Sequence, residues 1–165
     1  MLKIGIFLDR DGVLNINTHY PHLVEDCFPC LSAKETMELI LSDKRFIPIV
    51  VINQAGVGCG YYSKEDCFAF EEELQRQLGI HLPTNHWYHS WSYFDFELKP
   101  KPGMLIRAAK EHNIDLGRSA MFGDKQSDME AGTRAGCCAT YLVGPSQPPL
   151  YLQVKSFMEL ILWKQ

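Results

Sequence analysis

Ile4-Gly5-Ile6-Phe7-Leu8-Asp9-Arg10-Asp11-Gly12-Val13-Leu14-Asn15 is an apolar run that ends in two aspartates one residue apart, then a glycine turn. A short apolar run bounded by turn residues reads as a β-strand buried on both faces, as in a parallel sheet. The carboxyl ends of such strands are where open α/β sheets carry their chemistry. Carboxylates this close repel each other unless a cation or a shared proton intervenes. Mg²⁺ meets that need, since it binds one or two carboxylates and keeps positions for water and a substrate phosphate. The pattern is also compatible with a plain turn in which an aspartate caps the next helix.

Working outward, a second apolar run, Ile47 to Ile52, ends in Asn53-Gln54-Ala55-Gly56-Val57-Gly58-Cys59-Gly60. The Asn53 amide can donate to a phosphate oxygen, and glycines 56, 58 and 60 let backbone N–H groups approach an anion. A third run, Ser119 to Phe122, ends in Gly123-Asp124-Lys125-Gln126-Ser127-Asp128. Between them, Lys99-Pro100-Lys101-Pro102-Gly103-Met104 carries two ammonium groups ahead of a helix, with Pro102 suited to its first turn. Strands are expected near 4–8, 47–52, 85–91, 119–122 and 138–143. Helices are expected near 33–43, 63–78, 103–113, 127–135 and 155–163, with a Ser63/Asp66 capping box and Gly79 as a helix end. Alternation of this kind predicts an α/β fold with a parallel sheet and right-handed crossovers. Each motif alone also fits an ordinary turn, cap or solvated face.

Together and in this order, the motifs resemble the haloacid dehalogenase (HAD) superfamily of phosphohydrolases. FLDRDGVLN, VINQAGVGCGYYSKEDC, KPKPGM and FGDKQSDMEAG are similar to its capless branch of heptose bisphosphate and histidinol phosphatases. The resemblance runs from about Ile4 to Val143 and implies an HAD-like Rossmannoid three-layer sandwich. It implies Asp9 as nucleophile, Asp11 as general acid/base and Lys99 as the lysine that orients Asp9 and offsets phosphate charge. Phosphate binding falls to Asn53 and Lys99 with Arg10, Gln54 and Lys125. Mg²⁺ is the implied cofactor, held by Asp9, Asp11 and Asp124, with Asp128 behind them.

Departures from the family matter too. Ile52 stands where a threonine or serine is usual, and Cys59 and Leu98 stand where arginines are common. Loss of those arginines argues against the usual bisphosphate. The branch's zinc loop is replaced by His86 to Glu97, with two histidines, many aromatic residues and no cysteine, so no tetrahedral set can be assembled there. Those aromatic residues are expected to pack the loop or to stack on a sugar or base ring. His19, His22, Cys27 and Cys30 have a zinc-like spacing, but a plain loop is the expectation and a structural zinc is not.

The 165 residues suit one HAD-like hydrolase domain, 1–165. Only seventeen residues separate Asn15 from Ala33, and 60–99 holds just one helix, one strand and a loop, so no cap domain fits. An open site calls for a large substrate or for closure by loops or partner subunits. The net charge of −4 provides no basic footprint for nucleic acid, which is not expected as a partner. No stretch approaches the about eighteen apolar residues that cross a membrane. Met1-Leu2-Lys3 leads directly into the first strand, so no signal peptide is expected. The six cysteines are expected to stay reduced in the cytoplasm. The leading expectation is a Mg²⁺-dependent phosphomonoesterase acting on a small phosphorylated metabolite, with a sugar phosphate first. The alternatives are a nucleic-acid 3′-end phosphatase and a non-catalytic phospho-ligand-binding domain.

Overall fold

A computed structural model describes residues 2–18 and 20–163. Five strands, β1 (Ile4–Leu8), β2 (Phe46–Asn53), β3 (Trp87–Ser90), β4 (Ala120–Gly123) and β5 (Ala139–Leu142), form one parallel sheet ordered β3-β2-β1-β4-β5. Helices α1 (Ala33–Ser42), α2 (Ala55–Gly58), α3 (Lys64–Leu78), α4 (Gly103–His112), α5 (Gln126–Ala135) and α6 (Leu150–Trp163) connect or follow them.

Side-chain alternation along the strands builds two apolar layers. Ile4, Ile6 and Leu8 face Met37 and Ile40 of α1, Phe70 and Leu74 of α3, and Val154 and Phe157 of α6. Phe7, Ile49, Val51 and Met121 face Met104, Leu105 and Ala108 of α4 and Ala131 of α5. Because β1 is buried on both sides it reads as a continuous apolar run rather than an alternating one. The chain moves from β1 outward to β3 over one face, then crosses back to β4 and β5 over the other. Opposite directions on opposite faces give the crossovers one common hand, as strand twist requires. The strand order reverses beside β1, and the crevice between the carboxyl ends of β1 and β4 is where such a fold binds its ligand.

Element boundaries follow local chemistry. The Ser63 hydroxyl accepts from the Asp66 N–H (3.1 Å), while Asp66 accepts from the Ser63 N–H (2.7 Å), and Gly79 ends α3 at φ 67. A cap of this kind contributes about 1 kcal/mol. Two expectations change. Pro102 caps α4 from outside the first turn. The terminal helix begins at Leu150, directly after the Pro145–Pro149 stretch, because Leu150, Val154, Phe157, Met158 and Ile161 make one buried helical stripe. Among the described residues, no helix is long and apolar enough to cross a membrane.

Candidate active site

Three strand ends and one loop bring the polar residues together. Asp9 follows β1, Asn53 ends β2, Gly123 ends β4 with Asp124 directly after it, and Lys99 comes from the segment before α4. The buried Lys99 ammonium donates to Asp9 Oδ1 (2.8 Å) and the Val51 carbonyl (2.7 Å), and it pairs with Asp128 Oδ1 (2.7 Å). Burial by itself would lower the Lys99 pKa, but Asp9 and then Asp128 outweigh it and hold it above the ordinary lysine value. Asp128 reaches the site from the first turn of α5, where it also accepts from the Lys125 N–H (3.1 Å). Burial first, then Asp9, push its carboxyl up to about 6 against the opposing pull of Lys99.

Asp9, Asp124 and Asp128 each offer a carboxylate oxygen, all within 4.8 Å of one another. Asp124 Oδ1 is buried without a hydrogen-bond partner, and burial and Asp9 raise its pKa. Glycine is required on either side of this cluster. A Cβ at Gly12, whose φ is +88, would fall on the Asp124 carboxylate, and one at Gly123 would fall on Asp128. Crowded hard oxygen donors with one oxygen left unpartnered fit a divalent cation such as Mg²⁺.

The Asp11 carboxylate, expected among the metal ligands, lies outside that cluster. It forms a two-point pair with Arg10, whose Nε and Nη2 donate at 2.9 and 2.8 Å. Its place beside Asp9 and Asp124 is taken by Asp128. Arg10 and Gln54, expected at the phosphate, do not line the cavity of this site. The Arg10 guanidinium is fully buried, lies 4.4 Å over the Phe70 ring and donates to the Pro21 carbonyl (2.9 Å). The Gln54 amide sits between the Tyr62 hydroxyl (2.7 Å) and Arg10, satisfying both when its oxygen faces the guanidinium at 2.9 and 3.0 Å. A Tyr62–Gln54–Arg10–Asp11 chain therefore orients Asp11 from behind.

Asn53 does face the site, but its amide is largely engaged. Its oxygen accepts from the Lys99 N–H and its nitrogen donates to the Lys99 carbonyl, both at 3.0 Å. It pins the lysine segment and keeps one amide hydrogen for a ligand. The glycine loop is not an open anion cradle either. Gly58 N–H donates to the Trp91 carbonyl (2.8 Å) and Gly60 N–H to the Val57 carbonyl (3.0 Å). Gly56 is there for another reason, since a Cβ would strike the Tyr62 ring.

What remains is a cavity of about 40 Å³ lined by Asp9, Asp11, Ile52, Asn53, Lys99, Lys125, Ser127 and Asp128. Sequence reasoning missed Ser127, although its position one residue before Asp128 in the first turn of α5 was the available signal. It also missed Asn17, whose Nδ2 is 3.5 Å from Asp124 Oδ2. Of the zinc-spaced residues, His19 lies outside the described residues. His22 stacks on Tyr62 (4.6 Å) and belongs to no metal-ligand group with Cys27 and Cys30 among the described residues. In the aromatic loop, Trp91 packs on His89 (4.4 Å) under Lys64, whereas Phe94 and Phe96 project into solvent.

Comparison with known proteins identifies the family. The HAD-hydrolase-like family model matches residues 98–146. The chain is 34% identical over 154 residues to a D-glycero-alpha-D-manno-heptose-1,7-bisphosphate 7-phosphatase of Burkholderia mallei, covering 87% of this chain and 81% of that protein. It is 35% identical over 175 residues to the D-glycero-beta-D-manno-heptose-1,7-bisphosphate 7-phosphatase of Helicobacter pylori J99, covering 96% and 95%. Among solved structures, a putative HAD-like phosphatase from Mesorhizobium loti superposes with TM-score 0.81 at 25% identity, covering 97% of this chain and 86% of that one. The D,D-heptose 1,7-bisphosphate phosphatase of B. bronchiseptica, complexed with magnesium and phosphate, has the same fold, with TM-score 0.81 at 19% identity over 95% and 99% of the two chains. The chain thus belongs to the HAD-like phosphatase family that holds the heptose bisphosphate phosphatases, a family of phosphoric monoester hydrolases.

Proposed function

We propose that the protein is a Mg²⁺-dependent phosphomonoesterase that hydrolyses a small sugar phosphate through an aspartyl-phosphate intermediate. The observation that carries this reading is the buried Lys99 ammonium tied to Asp9 and Asp128 at the floor of a phosphate-sized cavity. Asp9, Asp124 and Asp128 would hold Mg²⁺, which would supply positive charge to screen Asp9 from an incoming dianion and to stabilise the transferring phosphoryl oxygens.

The chain's own residues divide the rest of the work. The Asp9 carboxylate attacks phosphorus, and the bond from phosphorus to the leaving oxygen breaks. The Asp11 carboxyl gives its proton to that oxygen, releasing the alcohol. The resulting carboxylate then takes a proton from the water that attacks the aspartyl phosphate, which regenerates Asp9 and frees inorganic phosphate. Burial raises the Asp11 pKa, in part against Arg10, and this favours the proton-carrying form that the first step uses. Lys99 keeps Asp9 aligned, and Lys125 and the remaining Asn53 amide hydrogen meet phosphate oxygens. We read residues 1–165 as one hydrolase domain, with six free cysteines that suit a cytoplasmic setting.

The test is phosphate release from a panel of sugar, amino-alcohol and nucleotide-end phosphates, with Mg²⁺ and with EDTA. Release that requires Mg²⁺ and favours a sugar ester is the expected result. Silence from folded, Mg²⁺-supplied protein across the panel overturns it.

A further inference from the structure

The cavity of about 40 Å³ holds little beyond a phosphoryl group, so the alcohol part of a substrate must lie across the rim. Loops from two strand ends meet there. After the β1 turn, Asn17 approaches Asp124 (3.5 Å), and the Pro21 carbonyl accepts from Arg10 (2.9 Å). Between these anchors stands Tyr20, whose hydroxyl meets that of Tyr93, from the loop after β3, at 3.2 Å.

Tyr20 has φ 55, in the left-handed region that bulky residues rarely adopt. Its surroundings hold it there: the Tyr20 carbonyl lies 2.8 Å from His22 Nδ1, the next carbonyl is bonded to Arg10, and the hydroxyl is bonded to Tyr93. Backbone strain imposed by neighbours collects at ligand clamps.

Among the described residues, most cations near the site already have partners. The cations lining the cavity are Lys99 and Lys125, and Lys99 is shared among three acceptors. Arg10 is paired with Asp11, Lys64 lies 4.8 Å over the Trp91 ring, and Lys101 donates to the Asp95 carbonyl (3.1 Å). A second phosphate reaching the rim would meet phenol hydroxyls and ring faces. Those same groups suit the hydroxyls and C–H face of an uncharged polyol.

We infer that Tyr20, clasped to Tyr93, is a specificity-determining residue of this site, and that the rim selects a singly phosphorylated ester of an uncharged polyol. This rests on the phosphatase reading and differs from the bisphosphates named for the relatives. The substrate body packs on the outer faces of the joined Tyr20 and Tyr93 rings while its phosphoryl group enters the cavity.

The test compares kcat/KM, with Mg²⁺, for hexose and heptose monophosphates, the corresponding bisphosphates, and 4-nitrophenyl phosphate, which carries no polyol. Monophosphates are expected to be favoured over bisphosphates by about tenfold or more. Tyr20→Phe and Tyr93→Phe should each raise KM for the favoured sugar ester about fivefold, the worth of one net hydrogen bond, with little change in kcat. The ratio of sugar-ester to 4-nitrophenyl phosphate kcat/KM should fall by a similar factor, and the double variant should add little to either single one. A preference for bisphosphates, or a ratio that moves in neither variant, overturns the inference and leaves the phosphatase reading standing. Absence of Mg²⁺-dependent release from every ester, including 4-nitrophenyl phosphate, overturns the phosphatase reading and this inference with it.

Discussion

The floor of the site and its rim are built on opposite terms. On the floor, Lys99 is 4% exposed and each of its three ammonium hydrogens has an acceptor, while Asp128 is held by both Lys99 and the Lys125 N–H. At the rim, Tyr20 is 55% exposed, Tyr61 70% and Phe94 96%, and one hydroxyl pair spans the loops. Burial makes every unpaired charge on the floor costly, so its residues hold one another in place. The rim carries no such penalty and is free to differ from relatives. Reaction chemistry therefore resides where the electrostatics are over-determined, and selection resides where they are not.

The contrast predicts the largest loss from the floor. Asp9→Asn should lower kcat by about a thousandfold or more while the far-ultraviolet spectrum and Tm stay close to wild type. An active, folded Asp9→Asn protein would move the nucleophile elsewhere. Lys99→Met should abolish activity and also lower unfolding free energy by about 3–5 kcal/mol, because Asp9 and Asp128 are left facing each other without a counter-charge. Urea denaturation reads that loss, and a near-neutral result would mean the floor is less tightly coupled than its distances indicate.

The pH response sharpens the same point. Folding carries Asp128 from its ordinary 3.8 to about 6, so between those values the folded state binds more protons than the unfolded state. In EDTA, this group's contribution to stability is greatest below about pH 4, falls as pH rises toward 6, and stays low above it. Tm measured from pH 4 to 7.5 in EDTA should fall more steeply for wild type than for Asp128→Asn. Added Mg²⁺, which takes the deprotonated carboxylates, should offset the fall near neutral pH. Matching slopes in the two proteins would remove Asp128 from the coupled set.

The smallest effect belongs to the rim. Phe94→Ala should change unfolding free energy by no more than about 0.5 kcal/mol, since the ring is almost wholly in solvent. A larger destabilisation in calorimetry would show that the loop is packed in solution.

Much of this molecule was legible in one dimension. The five strands stand where their bounded apolar runs predict them, and Ser63 with Asp66 marks the start of α3. The three-layer sandwich follows from the order of those elements. Asp9, Asn53 and Asp124 arrive at one crevice because each lies at or beside a strand end on the same side of a parallel sheet, and the segment before α4 brings Lys99 to them. The start of α6 was less legible, because the prolines before Leu150 mask a stripe that is apparent only once its burial is known.

Side-chain partnership was legible only in part: the Ser63–Asp66 cap and the Lys99–Asp9 pair were expected and are present, and the rest was not. Arg10 sits between two aspartates, and nothing local says that it points inward onto Phe70 while Gln54 closes over it. Asp128 read as a helix cap behind the site, yet it joins Lys99, which also binds Asp9, ninety residues earlier in the chain. Periodicity and turn chemistry are short-range and decide where strands end and which chemical groups stand there. Which oxygen meets which nitrogen depends on burial and on contacts between distant segments, so only the packed structure decides which carboxylates face a metal and which guanidinium is spent inside.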